Sequence, residues 1–276
     1  MNIIRFNPES DILTPLVRNI TIVEMPLSKR WEKLFHFGGN YITFVLKGNI
    51  SIRSKNKIYD SGQVFLNASG TNSFEFKVIS DVVLAVISMK PTAFYLYFNI
   101  NPSEYVGRYI SVEKLVGSDL QGLCNALGCS DTYEAIAGSL FSWVENSCKH
   151  TQNVSHIIDH IIDYIHSMNG CLKVQEIASR FCMSRRSLEK YFKKGIGISP
   201  AQYAKTCRFA SVLTLLEQQK KIHINTIISI LEYYDYTHFQ KDFIRCIGIK
   251  FQDYIKERRH PLLEYTSMHN SNFSPV

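Results

Sequence analysis

Five cations follow one serine within eleven residues. Ser184 precedes Arg185, Arg186, Lys190, Lys193 and Lys194, with Glu189 as the one carboxylate among them. A serine hydroxyl is a strong N-cap, so a helix is expected to start at Arg185. Helical spacing then puts Leu188 and Phe192 on its buried side, four residues apart. Arg and Lys donate to guanine O6 and N7, and a carboxylate such as Glu189 accepts from cytosine N4. A cation-rich face that opens at a helix N-terminus is therefore the chemistry of a major-groove reader. Lys193 and Lys194, a turn further on, fit phosphate contacts better than base contacts.

The preceding residues look built to hold that helix. A short helix with Ile177 and Ala178 on its packed side is expected to stop around Cys182. The break before Ser184 is short, and Ala178 is small where two helices would cross closely. Together these features predict a helix-turn-helix. About 50 residues later the pattern recurs: Asn225 to Tyr233 leads into Tyr234-Asp235-Tyr236-Thr237-His238-Phe239-Gln240-Lys241-Asp242-Phe243, and Phe239/Phe243 repeat the Leu188/Phe192 spacing. Between the units, Ala201 to Gln218 reads as one long helix spanning about 27 Å at 1.5 Å per residue. A rod of that length can hold two reading helices near the ~34 Å that separates successive major grooves on one face of DNA.

Other chemistries lack their residues. No G-x-S-x-G, H-E-x-x-H or glycine-rich phosphate loop occurs, so no catalytic constellation and no cofactor is expected. The seven cysteines fall between Cys124 and Cys246, are odd in number and contain no C-x-x-C. Reduced thiols are expected rather than a disulfide framework or a structural zinc. His156 and His160, with Asp159 and Asp163 nearby, have ligand spacing but no third ligand on another element, so they read as a polar helix face and no metal is expected. Trp31, Phe35, His36, Tyr41 and Phe44 form a cluster that could line a ligand pocket or simply belong to a core.

The first half is strand-rich. Tyr41 to Leu46 is apolar on both faces, as in a strand buried on both sides, whereas Ser73 to Val78 alternates like a half-solvated one. Turn residues at Lys47-Gly48-Asn49, Ser54 to Lys57 and Asp60 to Gln63 separate short strands, which predicts a small antiparallel barrel or sandwich. Beyond Pro91, residues from Tyr133 to Val144 have apolar positions three and four apart, an amphipathic helix capped by Asp131 or Thr132. Charge separates the halves. Residues 1–150 hold 14 Lys/Arg and 13 Asp/Glu, whereas residues 171–259 hold 17 and 8, a balance of +9 that suits a polyanion. With 276 residues and 45% hydrophobic content, two domains are expected. No apolar run is long enough to span a bilayer, and no secretory signal is read at the start, so a cytoplasmic protein is expected.

Residues 155–259 resemble the DNA-binding domain of AraC/XylS-type transcription regulators. The resemblance rests on Ile177-Ala178, Ser184, Leu188, Phe192, the segment Gly197 to Tyr203, Arg208 and Leu216. In the second unit it rests on Ile227, Tyr233, Thr237, Phe239, Phe243, Gly248 and Tyr254. Residues 1–150 are more loosely similar to uncharacterised N-terminal domains fused to such regulators, chiefly at Ile87 to Pro91. The resemblance implies two helix-turn-helix units on a long helix, reading adjacent major grooves of double-stranded DNA in a regulator, usually an activator, that contacts RNA polymerase. By position it implies Arg186, Glu189 and Lys190 toward bases, with Arg185 and Ser187 beside them. In the second unit the corresponding places are Tyr236, Thr237, His238 and Lys241. Cys182 and Glu232 stand where the family has glycine, Ile228 where it has a small alanine, and Phe251 where it has proline. These departures weigh on the second unit, so the first is expected to supply most specificity.

The expected protein is α+β: a barrel-like or sandwich domain with trailing helices at 1–150 for sensing or dimerisation, an all-α reader at 151–259, and a disordered tail at 260–276. Homodimerisation through the amphipathic helices of 103–150 and a small-molecule effector complete the expectations. The alternative is a protein-interaction module whose helical domain has lost DNA binding. It would bind with little salt dependence, whereas phosphate neutralisation gives a steep one.

Overall fold

The computed structural model describes residues 1–28, 30–34, 39–54, 57–60, 64–67, 74–98, 101–106, 109–111, 120–148, 157–219 and 222–257. Phe35, His36, His156, the expected 150/151 boundary and the tail at 260–276 lie outside the described residues. The first half begins with β1 (Asn2–Phe6), β2 (Val17–Met25), β3 (Glu32–Leu34), β4 (Asn40–Lys47) and β5 (Ile50–Ser54). It continues through β6 (Lys57–Asp60), β7 (Val64–Asn67), β8 (Phe74–Val78) and β9 (Val82–Met89) to β10 (Tyr109–Ser111). All pairings among them are antiparallel. They form a six-stranded sheet ordered β1-β2-β9-β4-β7-β10 and a four-stranded sheet ordered β3-β8-β5-β6. Of the barrel and sandwich alternatives, the described strands form two open sheets and no closed barrel.

The sequence pattern of β4 explains its central place. Ile42 and Phe44 face one way, into a core shared with the helices that follow. Tyr41 faces the other way, into a second core with Ile50, Ile52, Phe76 and Val78 of the smaller sheet. In β8, Phe76 and Val78 are buried while Glu75 and Lys77 are not, the alternation expected of a half-solvated strand. Gly48 turns the chain from one sheet toward the other at φ 77°, and a Cβ there would sit 2.2 Å from the Asp81 carbonyl oxygen, so only glycine fits.

After β9 come α1 (Ala93–Phe98) and a 3₁₀ turn (Pro102–Glu104), then, beyond β10, α2 (Leu120–Gly128) and α3 (Tyr133–Ser147). Thr132 caps α3 by accepting a hydrogen bond from the Ala135 N–H at 3.2 Å. The apolar stripe of α3 (Ile136, Ala137, Leu140 and Val144) is spent on the large sheet, where Trp143 meets Phe44 edge-on at 5.8 Å. Amphipathicity alone thus no longer argues for dimerisation through α3, because that face is already covered.

The second half is helical: α4 (Ile157–Ser167), α5 (Val174–Arg180), α6 (Arg185–Gly195), α7 (Pro200–Gln218), α8 (Ile224–Ile230), α9 (Tyr236–Ile247) and α10 (Phe251–Glu257). Its two cores meet on α7. Tyr203, Ala204 and Cys207 pack with α4, α5 and α6. Phe209, Ala210, Val212 and Leu213 pack with α8, α9 and α10. Phe251, at the start of α10, inserts its ring 5.2 Å from Phe239 and 5.3 Å from Phe243. Phe251 is thus an anchor of this core.

Candidate nucleic-acid interface

The first unit is set by its turn and cap. α5 ends at Arg180, Cys182 adopts the left-handed conformation at φ 52°, and the Met183 N–H donates to the Ala178 carbonyl at 2.9 Å. Ser184 then accepts from the Ser187 N–H at 3.0 Å, and the two hydroxyls lie 2.8 Å apart. Both serines are therefore engaged in building the helix start. Leu188 and Phe192 are fully buried on one side of α6. On the other, Arg185, Arg186, Glu189 and Lys190 are exposed. Arg185 Nε donates to Glu189 Oε1 at 3.2 Å, an i,i+4 pair that orients both side chains. Among the described residues, Arg186 and Lys190 make no ion pair, and they stand one turn apart on the open face.

The last turn of α6 faces a different partner. Ser103 Oγ donates to the Lys193 carbonyl at 2.7 Å, and Lys193 Nζ reaches back to the Gly197 carbonyl at 3.1 Å. Lys194 Nζ lies 5.2 Å from the centre of the Tyr95 ring. Gly197, at φ 88°, is so close to the 3₁₀ turn that a Cβ would sit 2.9 Å from the Pro102 carbonyl oxygen. Of the two lysines expected at phosphates, Lys194 thus lies against the first half of the chain, whereas the Lys193 ammonium is held within the reader by Gly197. Nothing in the local spacing could have shown the contact of Ser103 with the Lys193 carbonyl, because Ser103 lies 90 residues earlier.

The second unit repeats the turn. Glu232 is left-handed at φ 49°, and the Tyr233 N–H donates to the Ile228 carbonyl at 3.0 Å. Asp235 caps α9 by accepting from the His238 N–H at 2.7 Å. Tyr236, Thr237 and Lys241 are exposed, and the Tyr236 hydroxyl donates to Gln240 Oε1 at 2.7 Å. His238 is half-buried, its ring edge-on to Tyr233 at 5.5 Å, and so is less free to reach a groove than its neighbours.

Two anchors were not legible as such in the sequence. Asp242, nearly buried on α9, is 3.0 Å from Arg245 and 3.7 Å from Arg208 of α7. The Arg208 guanidinium also covers the Tyr233 ring at 4.5 Å, tying α7 to the second turn. The other anchor joins the two halves. Arg18, at the start of β2, hydrogen-bonds Tyr203 of α7, whose hydroxyl lies 2.9 Å from Nε2 of buried His166. Burial first, then the Arg18 charge, push the His166 imidazole down to about 3. Burial raises the Cys207 thiol to about 12, so it is an inert core thiol. Thr92 also donates to Asp159 across the joint at 2.5 Å.

Of the aromatic cluster expected in the first half, Phe35 and His36 lie outside the described residues, and Tyr41 and Phe44 do not share a face but project from opposite sides of β4. Trp31 is covered by the Arg53 guanidinium at 4.0 Å, and Arg53 is paired to Glu75 at 3.0 Å. All seven cysteines are free thiols. Among the described residues no group of His, Cys, Asp or Glu could hold a metal, and no helix is long and apolar enough to cross a membrane.

A family model described as a helix-turn-helix domain matches residues 177–259. An apo variant of ToxT from Vibrio cholerae is similar to this chain with a TM-score of 0.50 at 14% identity, covering 86% of this chain and 97% of that one. A second ToxT structure from Vibrio cholerae gives 0.49 at 13%, with the same coverages. The AraC-like transcriptional activator CuxR gives 0.33 at 14%, covering 76% of this chain and 86% of that one. No curated protein sequence matches the chain. At these identities the first likeness speaks for a common fold.

Proposed function

We propose that this chain, whose residues 177–259 are a helix-turn-helix domain of the AraC type, is a sequence-specific regulator that places α6 and α9 in two adjacent major grooves of double-stranded DNA. The observation that carries the proposal is the pair Arg186 and Lys190, both exposed on the N-terminal half of a capped, tightly buttressed helix. Arg186 is suited to bidentate donation to a guanine, with Lys190 one turn on and Glu189, oriented by Arg185, able to accept from a cytosine. In the second unit Thr237 and Lys241 hold the corresponding places, with Tyr236 beside them. The joint among Arg18, Tyr203, Tyr95, Ser103 and Gly197 supports residues 1–150 as the part that sets the pose of the reader, by sensing or by dimerisation. Activation through RNA polymerase in the cytoplasm, with or without a small-molecule effector, belongs to the same proposal.

The test is iterative selection of the full-length chain on random duplex DNA, with Arg186→Ala/Lys190→Ala in parallel. A motif spanning two successive major grooves, lost in the double variant, is the expected result. A motif confined to one groove would reduce α9 to a backbone clamp. Binding without salt dependence would hand the chain to the interaction-module alternative.

A further inference from the structure

The two turns differ by one residue, and that residue is an aromatic in open solvent. Each turn has its left-handed residue, Cys182 or Glu232, followed by one whose N–H closes on the preceding helix, Met183 or Tyr233. In the first unit the N-cap Ser184 comes next. In the second, Tyr234 is inserted before the N-cap Asp235. Tyr233 already fills the buried place under the turn, against Phe239 and Arg208. Tyr234 is 92% exposed. An aromatic ring gains from folding only through burial, so at this site it gains nothing within the chain itself.

Its neighbourhood says what would cover it. The residues opening a reading helix meet base edges, and the turn before them stands at the mouth of the groove. No cation opens α9: its first exposed side chains are Tyr236 and Thr237, with Lys241 one turn on, and the Asp235 carboxylate before them is engaged as the cap. That surface suits apolar contact more than phosphate neutralisation. In the major groove the apolar feature is the thymine C5-methyl group.

We propose that Tyr234 is a specificity-determining residue of the second unit, its ring packing against a thymine methyl in the half-site read by α9. The inference rests on the proposed DNA binding. Its test uses the full-length chain and the duplex recovered by selection, with thymines of the α9 half-site replaced singly by deoxyuridine. Tyr234→Ala is expected to weaken binding about tenfold with an unchanged salt slope, Tyr234→Phe to bind like the parent, and both variants to melt like the parent. One uracil replacement should weaken the parent chain by a similar factor and leave Tyr234→Ala unaffected. Equal losses in Tyr234→Phe and Tyr234→Ala would overturn it in favour of a hydroxyl–phosphate contact. A loss in Tyr234→Ala with no uracil effect on the parent would overturn it in favour of a sugar contact. No loss in either variant would also overturn it while leaving DNA binding intact. A parent chain that selects no duplex would defeat the underlying function and this inference together.

Discussion

Arg186 and Lys194 carry the same charge and lie eight residues apart, yet their surroundings assign them different work. Arg186 projects from the open face of α6, whereas Lys194 rests on Tyr95. Arg186→Ala is expected to weaken binding to the selected duplex by about 1–3 kcal/mol and to relax the choice of one base. Lys194→Ala should cost less than about twofold and leave the salt slope unchanged, because a lysine engaged within the chain neutralises no phosphate. Titrations of both variants at several salt concentrations check this. A slope reduced by about one in Lys194→Ala would show that the lysine leaves Tyr95 for DNA. Lys241→Ala should cost less than Arg186→Ala on the same duplex, and the reverse order would remove the primacy of the first unit. The residue types needed for groove reading were legible in the sequence, since charge and helical spacing are local properties. What Lys194 rests on was not legible, since Tyr95 is its neighbour only after folding.

The helix-turn-helix elements were legible for the same local reason. Ser184 caps where a serine should, Leu188 and Phe192 are buried as their spacing required, and Thr132 starts α3. The turns are where local rules and this sequence disagree. Cys182 and Glu232 both sit at positive φ, near 50°, which costs a non-glycine residue about 1–2 kcal/mol. Glycine would relieve that cost but lose about 0.5–1 kcal/mol to its more mobile unfolded chain. Cys182→Gly is therefore expected to stabilise the reader by about 0.5–1 kcal/mol, raising its melting temperature by roughly 2–5 °C. Cys182→Ser keeps the strain and should melt like the parent, so a similar rise in Cys182→Ser would point to the thiol rather than to the backbone. The second core explains why the chain tolerates the second of these turns. Phe251, Phe239, Phe243 and Tyr254 interlock through edge-on and tilted ring contacts of 5.2–5.6 Å, and Arg208 pins Tyr233 above them.

At the scale of the whole molecule the two halves meet through polar groups as well as through Val106, which packs against the reader's first core. Arg18 hydrogen-bonds Tyr203, and Tyr203 contacts His166 at 2.9 Å, so a guanidinium stands close to an imidazole in a site closed to water. Burial and that charge hold His166 neutral, with its pKa lowered from the ordinary 6.5 to about 3. Between those values the unfolded chain binds the proton and the folded chain does not. Stability contributed by the neutral ring is then complete above pH 6.5 and falls as the pH drops toward about 3. At pH 5 the loss from this one group is about 2 kcal/mol. His166→Gln keeps a side chain able to bond Tyr203 and cannot take up the proton. Its melting temperature is expected to fall less than that of the parent between pH 7 and pH 5. Arg18→Met tests the coupling from the other half. Without the neighbouring cation, protonation of His166 is opposed by burial alone, so the pH dependence should persist with a smaller amplitude. Identical pH slopes in the parent and His166→Gln would remove the imidazole from the account of how the halves are joined. An unchanged slope in Arg18→Met would confine that account to burial within the reader.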